Sequence, residues 1–146
     1  MNILRYCALA FFLLLISPQR NAAQNKWIGT WATAPQAVPK GPVQTFHNQT
    51  IRLIVHTSIG GKKVRIKISN TFGDQPLLIG GAHIARRATE ADIDPASDHA
   101  LRFSGHSSVT IPPRSMLVSD PADLEAPALS DLAISLFFPE TAALAT

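Results

Sequence analysis

Thr50-Ile51-Arg52-Leu53-Ile54-Val55-His56-Thr57, the glycine-bearing Ser58-Ile59-Gly60-Gly61-Lys62, and Lys63-Val64-Arg65-Ile66-Lys67-Ile68-Ser69 form the stretch on which the fold is decided. Ile51, Leu53 and Val55 fall on one side of an extended segment, and Arg52 and His56 fall on the other. Ile54 is the one apolar residue on the polar side. Val64, Ile66 and Ile68 then alternate with Lys63, Arg65 and Lys67. Successive Cβ atoms of a strand project to opposite faces, so a period of two among β-branched residues reads as a half-buried strand. Gly60 and Gly61 can take positive φ, and the two runs are expected to pair as a hairpin.

The pattern continues outward from that stretch. Asn70-Thr71-Phe72-Gly73-Asp74 reads as a turn, and Pro76 to Ile79 with Ala82 to Ala85 as a third, more buried strand bulged at Gly80-Gly81. The acidic segment Thr89 to His99, with Pro95, is expected to be a surface loop, with room for one helical turn over Ala88 to Ile93. Leu101-Arg102-Phe103 reads as a short strand, and Ser108 to Ile111 and Met116 to Val118 flank the turn Pro112-Pro113-Arg114-Ser115 as a second hairpin. In the last run Leu132, Ile134, Leu136 and Phe138 face inward, and Ala133, Ser135 and Phe137 face outward. No segment carries a 3.6-residue amphipathic period over three turns. Short strands separated by Gly and Pro turns, without helical crossovers, predict an all-β domain: an antiparallel β-sandwich or jelly-roll-like fold.

The first 23 residues are set apart by a different logic. Arg5 precedes an unbroken apolar run of 11 residues, Tyr6 to Ile16, followed by Ser17-Pro18-Gln19-Arg20. Spanning a bilayer takes ~20 apolar residues, so this is the layout of a secretory signal peptide ending at Ala23 rather than of a permanent membrane span. The expected organisation is a signal peptide over 1–23, a β-sandwich domain over 24–140 and a linker or cut end over 141–146, with the protein secreted or periplasmic. Cys7 is the single cysteine, so residues 24–146 carry no thiol chemistry and no thiolate zinc site. A domain of this size buries roughly two-thirds of its unfolded surface, enough for an apolar core without staples.

The formal charge of +3 comes from scattered basic residues, which argues against a nucleic-acid partner. Its distribution is uneven. Lys26 to Arg87 holds nine basic residues and one acid, Asp74, whereas Ala88 to Thr146 holds nine acids and two basic residues. The two halves should attract each other as complementary solvated faces.

Catalytic motifs are incomplete. Gly105-His106-Ser107-Ser108-Val109 approaches a nucleophile elbow but lacks the second glycine and a following helix, so it reads as a β-turn. Gly73-Asp74-Gln75 has an amide where an attacking hydroxyl is needed. His47, His56, His83, His99 and His106 show no metal-binding spacing, and Asp92, Asp94 and Asp98 lack the glycine and closing glutamate of a calcium loop. No metal or cofactor is expected. His56, on the polar face beside Arg52, is the histidine best placed to line a binding cleft. Trp27 and Trp31, four residues apart, project to one side of an extended chain; they could stack on sugar rings, although large aromatics near a domain edge more often pack against the core or a neighbouring domain. Asn48-Gln49-Thr50 is a formal glycosylation acceptor.

Several ordered blocks together carry a resemblance. Trp27-Ile28-Gly29-Thr30-Trp31-Ala32-Thr33-Ala34-Pro35, Asn48 to Arg52, His56 to Gly61, Val64-Arg65, Ser69 to Gly73, Ser108 to Pro113, Val118 to Pro121 and Ala128 to Leu136 resemble the leader region of secreted SGNH (GDSL-type) esterases, over about Trp27 to Pro139. The resemblance implies a β-rich N-terminal region that precedes a hydrolytic α/β domain bearing a Gly-Asp-Ser nucleophile, an oxyanion-hole Gly and Asn and an Asp-x-x-His pair. None of those motifs stands in this chain, so no catalytic residue is carried over. The implied role is a non-catalytic accessory β-domain that packs against or orients an esterase domain, with Trp27, Trp31, His56 and Asn70 as contacts to that domain or to a carbohydrate or acylated-glycan substrate. Two other readings stay open: a free-standing secreted carbohydrate-binding module, and a fragment of an active carboxylic ester hydrolase.

Overall fold

The computed structural model describes residues 26–37 and 44–143; the expected signal peptide lies outside the described residues. Ten strands follow one another: β1 (Thr45–Phe46), β2 (Gln49–Thr57), β3 (Lys67–Ser69), β4 (Leu77–Ile79), β5 (Gly81–Arg86), β6 (His99–Ala100), β7 (Val109–Ile111), β8 (Met116–Val118), β9 (Ser130–Phe138) and β10 (Ala142–Ala143). A single 3-10 turn, Pro95–Ser97, completes the described elements. A four-stranded sheet in the order β2-β9-β5-β6 is accompanied by the pairs β1-β10, β3-β8 and β4-β7, and every ladder is antiparallel. The domain is therefore all-β and sandwich-like, as the alternation predicts. Among the described residues no helix is long and apolar enough to cross a membrane.

Strand positions match the sequence reading better than strand partners do. The run Thr50 to Thr57 does not fold back on Lys63 to Ser69: β2 pairs along its whole length with β9, from Gln49 opposite Phe138 to Thr57 opposite Ser130. Only Lys67–Ser69 of the second run forms a strand, and it pairs with β8. The other expected hairpin is replaced in the same way, because β7 pairs with β4 while β8 pairs with β3. Gly60 explains part of this. Its φ is not positive; instead, a Cβ there would sit 2.7 Å from Ala126 O and 2.7 Å from Ala128 N. The glycine permits close backbone approach between the 58–66 loop and the 122–128 segment, where Gly61 and Ala126 exchange hydrogen bonds, as do Val64 and Ala122. The tight local turn yields to long-range ladders, in which β2 pairs with the buried central strand β9 and Val64, Ile66 and Ile68 pack half-buried against the core.

β9 has a neighbour on each edge, and its inward Leu132, Ile134, Leu136 and Phe138 are buried together with Ala133. Ile79, Ile84, Leu101, Ile111 and Leu124 complete the most enclosed part of the core. Each such side chain contributes about 1.5–3 kcal/mol on leaving water. β2, at the edge of the sheet, is buried less than its alternation suggests: Val55 and Thr57 are buried, whereas Leu53 and Ile54 are both exposed. The single strand expected to bulge at Gly80-Gly81 is instead broken at Gly80: β4 pairs with β7 and β5 joins the four-stranded sheet, with Gly80 N donating to Phe137 O. The helical turn lies over Pro95–Ser97 rather than Ala88 to Ile93, with the Asp94 carboxylate accepting from Ala96 N at its start. Leu101 to Phe103 is not a strand; Phe103 makes only a single bridge to His106. Ala142 and Ala143, expected within a linker, pair with β1, where Phe46 stacks on Phe138 at 6.2 Å between ring centroids.

The halves of opposite charge do meet. Among the described residues, three ion pairs, Lys63–Asp123, Arg86–Asp94 and Arg87–Asp131, and two His–Asp contacts, His56–Asp131 and His83–Asp98, which are ionic only when the imidazole is protonated, each join a residue of 26–87 to one of 88–131. Their side chains remain well solvated, so each contributes little to stability.

Candidate functional site

Two blocks distant in sequence are latched together by Thr30. Its Oγ1 donates to Ile59 O at 2.8 Å and accepts from Ile59 N at 2.9 Å. Its carbonyl accepts from Ser58 N and from Ser58 Oγ. This fixes the extended segment carrying Trp27 and Trp31 beside the loop that leaves β2. Both residues stay partly exposed, at 37% and 47%, and neither joins the apolar core.

The latch creates a cleft of about 430 Å³, within the range of small-molecule sites. Buried Thr57, Ala126 and Leu132 lie at its floor, and Trp27, Ile28 and Ile59 supply an exposed apolar wall. Four cationic side chains, Lys26, Lys62, Lys63 and Arg65, line it, and no acidic residue does. The Arg65 guanidinium carbon stands 4.1 Å from the Trp27 ring centroid, a cation–π contact that holds the ring in place. Lys63 is paired with Asp123 at 2.9 Å. Trp31 does not line the cleft. In the sequence Lys63 and Arg65 read as the solvated face of a strand, Lys62 as part of the glycine-bearing turn, and Lys26 as a basic residue of no assigned element; what makes them a site is the packing of residues 26–30 against the 59–65 loop.

His56 belongs to a separate cluster near the ends of β2 and β9. The register sets His56 opposite Asp131, and its Nδ1 lies 2.8 Å from Asp131 Oδ1. Arg87 Nη1 donates to the other carboxylate oxygen at 2.8 Å. The His56 hydrogen bond first, and the Arg87 one second, hold the Asp131 carboxyl below its ordinary range. Arg52 donates to Ser135 Oγ and to Ala91 O along the same face. An imidazole oriented by a carboxylate at Nδ1 has its Nε2 free to act as a base, but among the described residues no hydroxyl is hydrogen-bonded to that nitrogen.

Asn70 is buried and faces inward. Its Nδ2 approaches three carbonyl oxygens, Gln75 O at 2.9 Å and Ile111 O and Pro112 O at 3.1 Å each. Its backbone N–H donates to Ser115 O, and its carbonyl accepts from Arg114 N. Asn70 therefore ties the turn after β3 to the turn between β7 and β8. Trp27, Trp31, His56 and Asn70 do not form one site: Trp27 lines the cleft, Trp31 flanks it, His56 lies in the ionic cluster and Asn70 is a brace.

Gly105-His106-Ser107 lies at a tight turn in which Phe103 and His106 exchange backbone hydrogen bonds. Ser104 and Gly105 adopt positive φ there, and the Asp120 carboxylate accepts from both of their N–H groups. Of the acids in the Thr89 to His99 loop, Asp94 is held by Arg86 and Asp98 by His83. Among the described residues no three His, Cys, Asp or Glu side chains gather as metal ligands. No protein-family model matches the chain, nor does any curated protein.

Proposed function

We propose that the chain is a non-catalytic accessory β-domain of a secreted SGNH-type ester hydrolase, which packs against and orients the catalytic domain. One observation supports this above the others: the polar atoms of the family-like blocks are spent on holding those blocks to one another. Thr30 joins Trp27–Pro35 to His56–Gly61, Asn70 joins Ser69–Gly73 to Ser108–Pro113, and His56 and Thr57 join their strand to Asp131, Pro127 and Ser130. Residues recurring in a pattern of this kind specify a fold, whereas ester cleavage requires an activated hydroxyl, a base in reach and oxyanion donors. The exposed Trp31 beside the Thr30 latch, with the exposed Leu53 and Ile54 of β2, provides apolar surface outside the cleft for a neighbouring domain.

The test is p-nitrophenyl acetate hydrolysis by the purified chain, alone and co-expressed with a catalytic domain of that family. The chain alone gives no serine-inhibitor-sensitive turnover, and together the two copurify with a raised melting temperature for the catalytic domain. Fluorophosphonate labelling of Ser107, or the absence of any association, overturns the proposal.

A further inference from the structure

We infer that the cleft between residues 26–30 and the 59–65 loop binds an acidic glycan, a sugar chain whose rings carry carboxylates. The inference holds whether or not a catalytic domain partners the chain. Charge selects the ligand's sign, since four cationic side chains and no acid line the cleft. Asp123 engages Lys63, and Trp27 engages Arg65. Lys26 and Lys62 make no ion pair among the described residues and are left to meet an anion.

The walls select the body of the ligand. Apart from its floor at Thr57, Ala126 and Leu132, the cleft is built from exposed or half-buried residues, so it is an open trough rather than an enclosed apolar tunnel. An aliphatic chain would stay half in water there. A pyranose ring has an apolar C–H face and a hydroxyl rim, which suits a partly exposed indole ringed by water and cations. Arg65 steadies the Trp27 ring beforehand and so lessens the ordering that binding must impose.

The chain contains two tryptophans, so Trp31→Phe leaves Trp27 as the sole indole reporter. In this background, titration with an oligogalacturonate shifts Trp27 emission, and calorimetry gives the same affinity. Methyl esterification of the same oligomer, which removes charge and keeps the rings, weakens binding about tenfold or more, as does Lys62→Glu at an exposed position. Raising the salt weakens binding progressively. Trp27→Ala, checked for an unchanged circular dichroism spectrum, abolishes binding by calorimetry. Any of four results overturns the inference: no binding, equal binding of the methyl ester, binding indifferent to both Trp27→Ala and Lys62→Glu, or tighter binding of laurate, which offers the same carboxylate on an aliphatic chain.

Discussion

Replacing Asn70 separates a structural brace from a contact residue. The side-chain amide has two hydrogens and three carbonyl oxygens within 3.1 Å, of which the bond to Ile111 O is buried and those to Gln75 O and Pro112 O are partly buried. Asn70→Ala strands these acceptors. Leaving a buried polar group unpaired costs about 1–3 kcal/mol, and water can reach the two outer carbonyls, so the expected loss is about 3 kcal/mol. For a domain of this length that corresponds to a fall in melting temperature of roughly 10 °C. Asn70→Asp is the sharper probe, because it keeps the shape and replaces the donor with a carboxylate facing the same oxygens. Its folded-state pKa must rise above the unfolded value of about 3.9, so the folded state holds the proton more tightly. The destabilisation is accordingly smallest at acid pH and grows as pH rises above that unfolded value. Urea unfolding of wild type, Asn70→Ala and Asn70→Asp at pH 4 and pH 7 measures all of this. Were Asn70→Ala within about 0.5 kcal/mol of wild type, the range of an ordinary surface substitution, or Asn70→Asp equally stable at both pH values, the bracing argument would fail.

Gly60→Ala drives a methyl group into the backbone at Ala126 and Ala128, and should lower the urea midpoint by the equivalent of about 1–3 kcal/mol, whereas Gly61→Ala, where the nearest atom is 3.6 Å away, should cost less. His56→Ala should raise the Asp131 carboxyl titration toward its ordinary range, read by carboxyl carbon chemical shifts, because the imidazole hydrogen bond is the larger of the two causes holding it down. With its folded-state pKa depressed, Asp131 stabilises the fold above the unfolded carboxylate pKa and loses that contribution as pH falls through the lower folded value. Acid unfolding curves of wild type and His56→Ala should therefore converge at the acid end.

Much of the architecture was legible in local pattern. The runs around Ile51, Ile68, Ile84 and Ile134 all became strands, since alternation and β-branching act through neighbouring residues alone. Their pairing was not legible. The stretch Ser58 to Lys62 looks like a hairpin turn, yet Gly60 is small because another part of the backbone presses on it. Ile54, a mismatch in the strand pattern, and Leu53, expected inside, are both partly exposed, while Val55 and Thr57 further along the same strand are buried. The cleft was equally hidden. Lys62 and Arg65 carry no motif, and Trp27 in sequence is one exposed aromatic among several possibilities.

Two properties followed from the amino-acid order by itself: the all-β character, from the period-two alternation of apolar residues, and the mutual attraction of a basic first half and an acidic second half, seen among the described residues in Lys63–Asp123, Arg86–Asp94 and Arg87–Asp131. Tertiary structure alone decided that β2 lies against β9, that Asn70 faces inward, and that Trp27 and the lysines share one trough. Strand formation is governed by short-range stereochemistry, whereas pairing and site assembly depend on which distant surfaces bury each other best, a choice made only when the whole chain competes for the core.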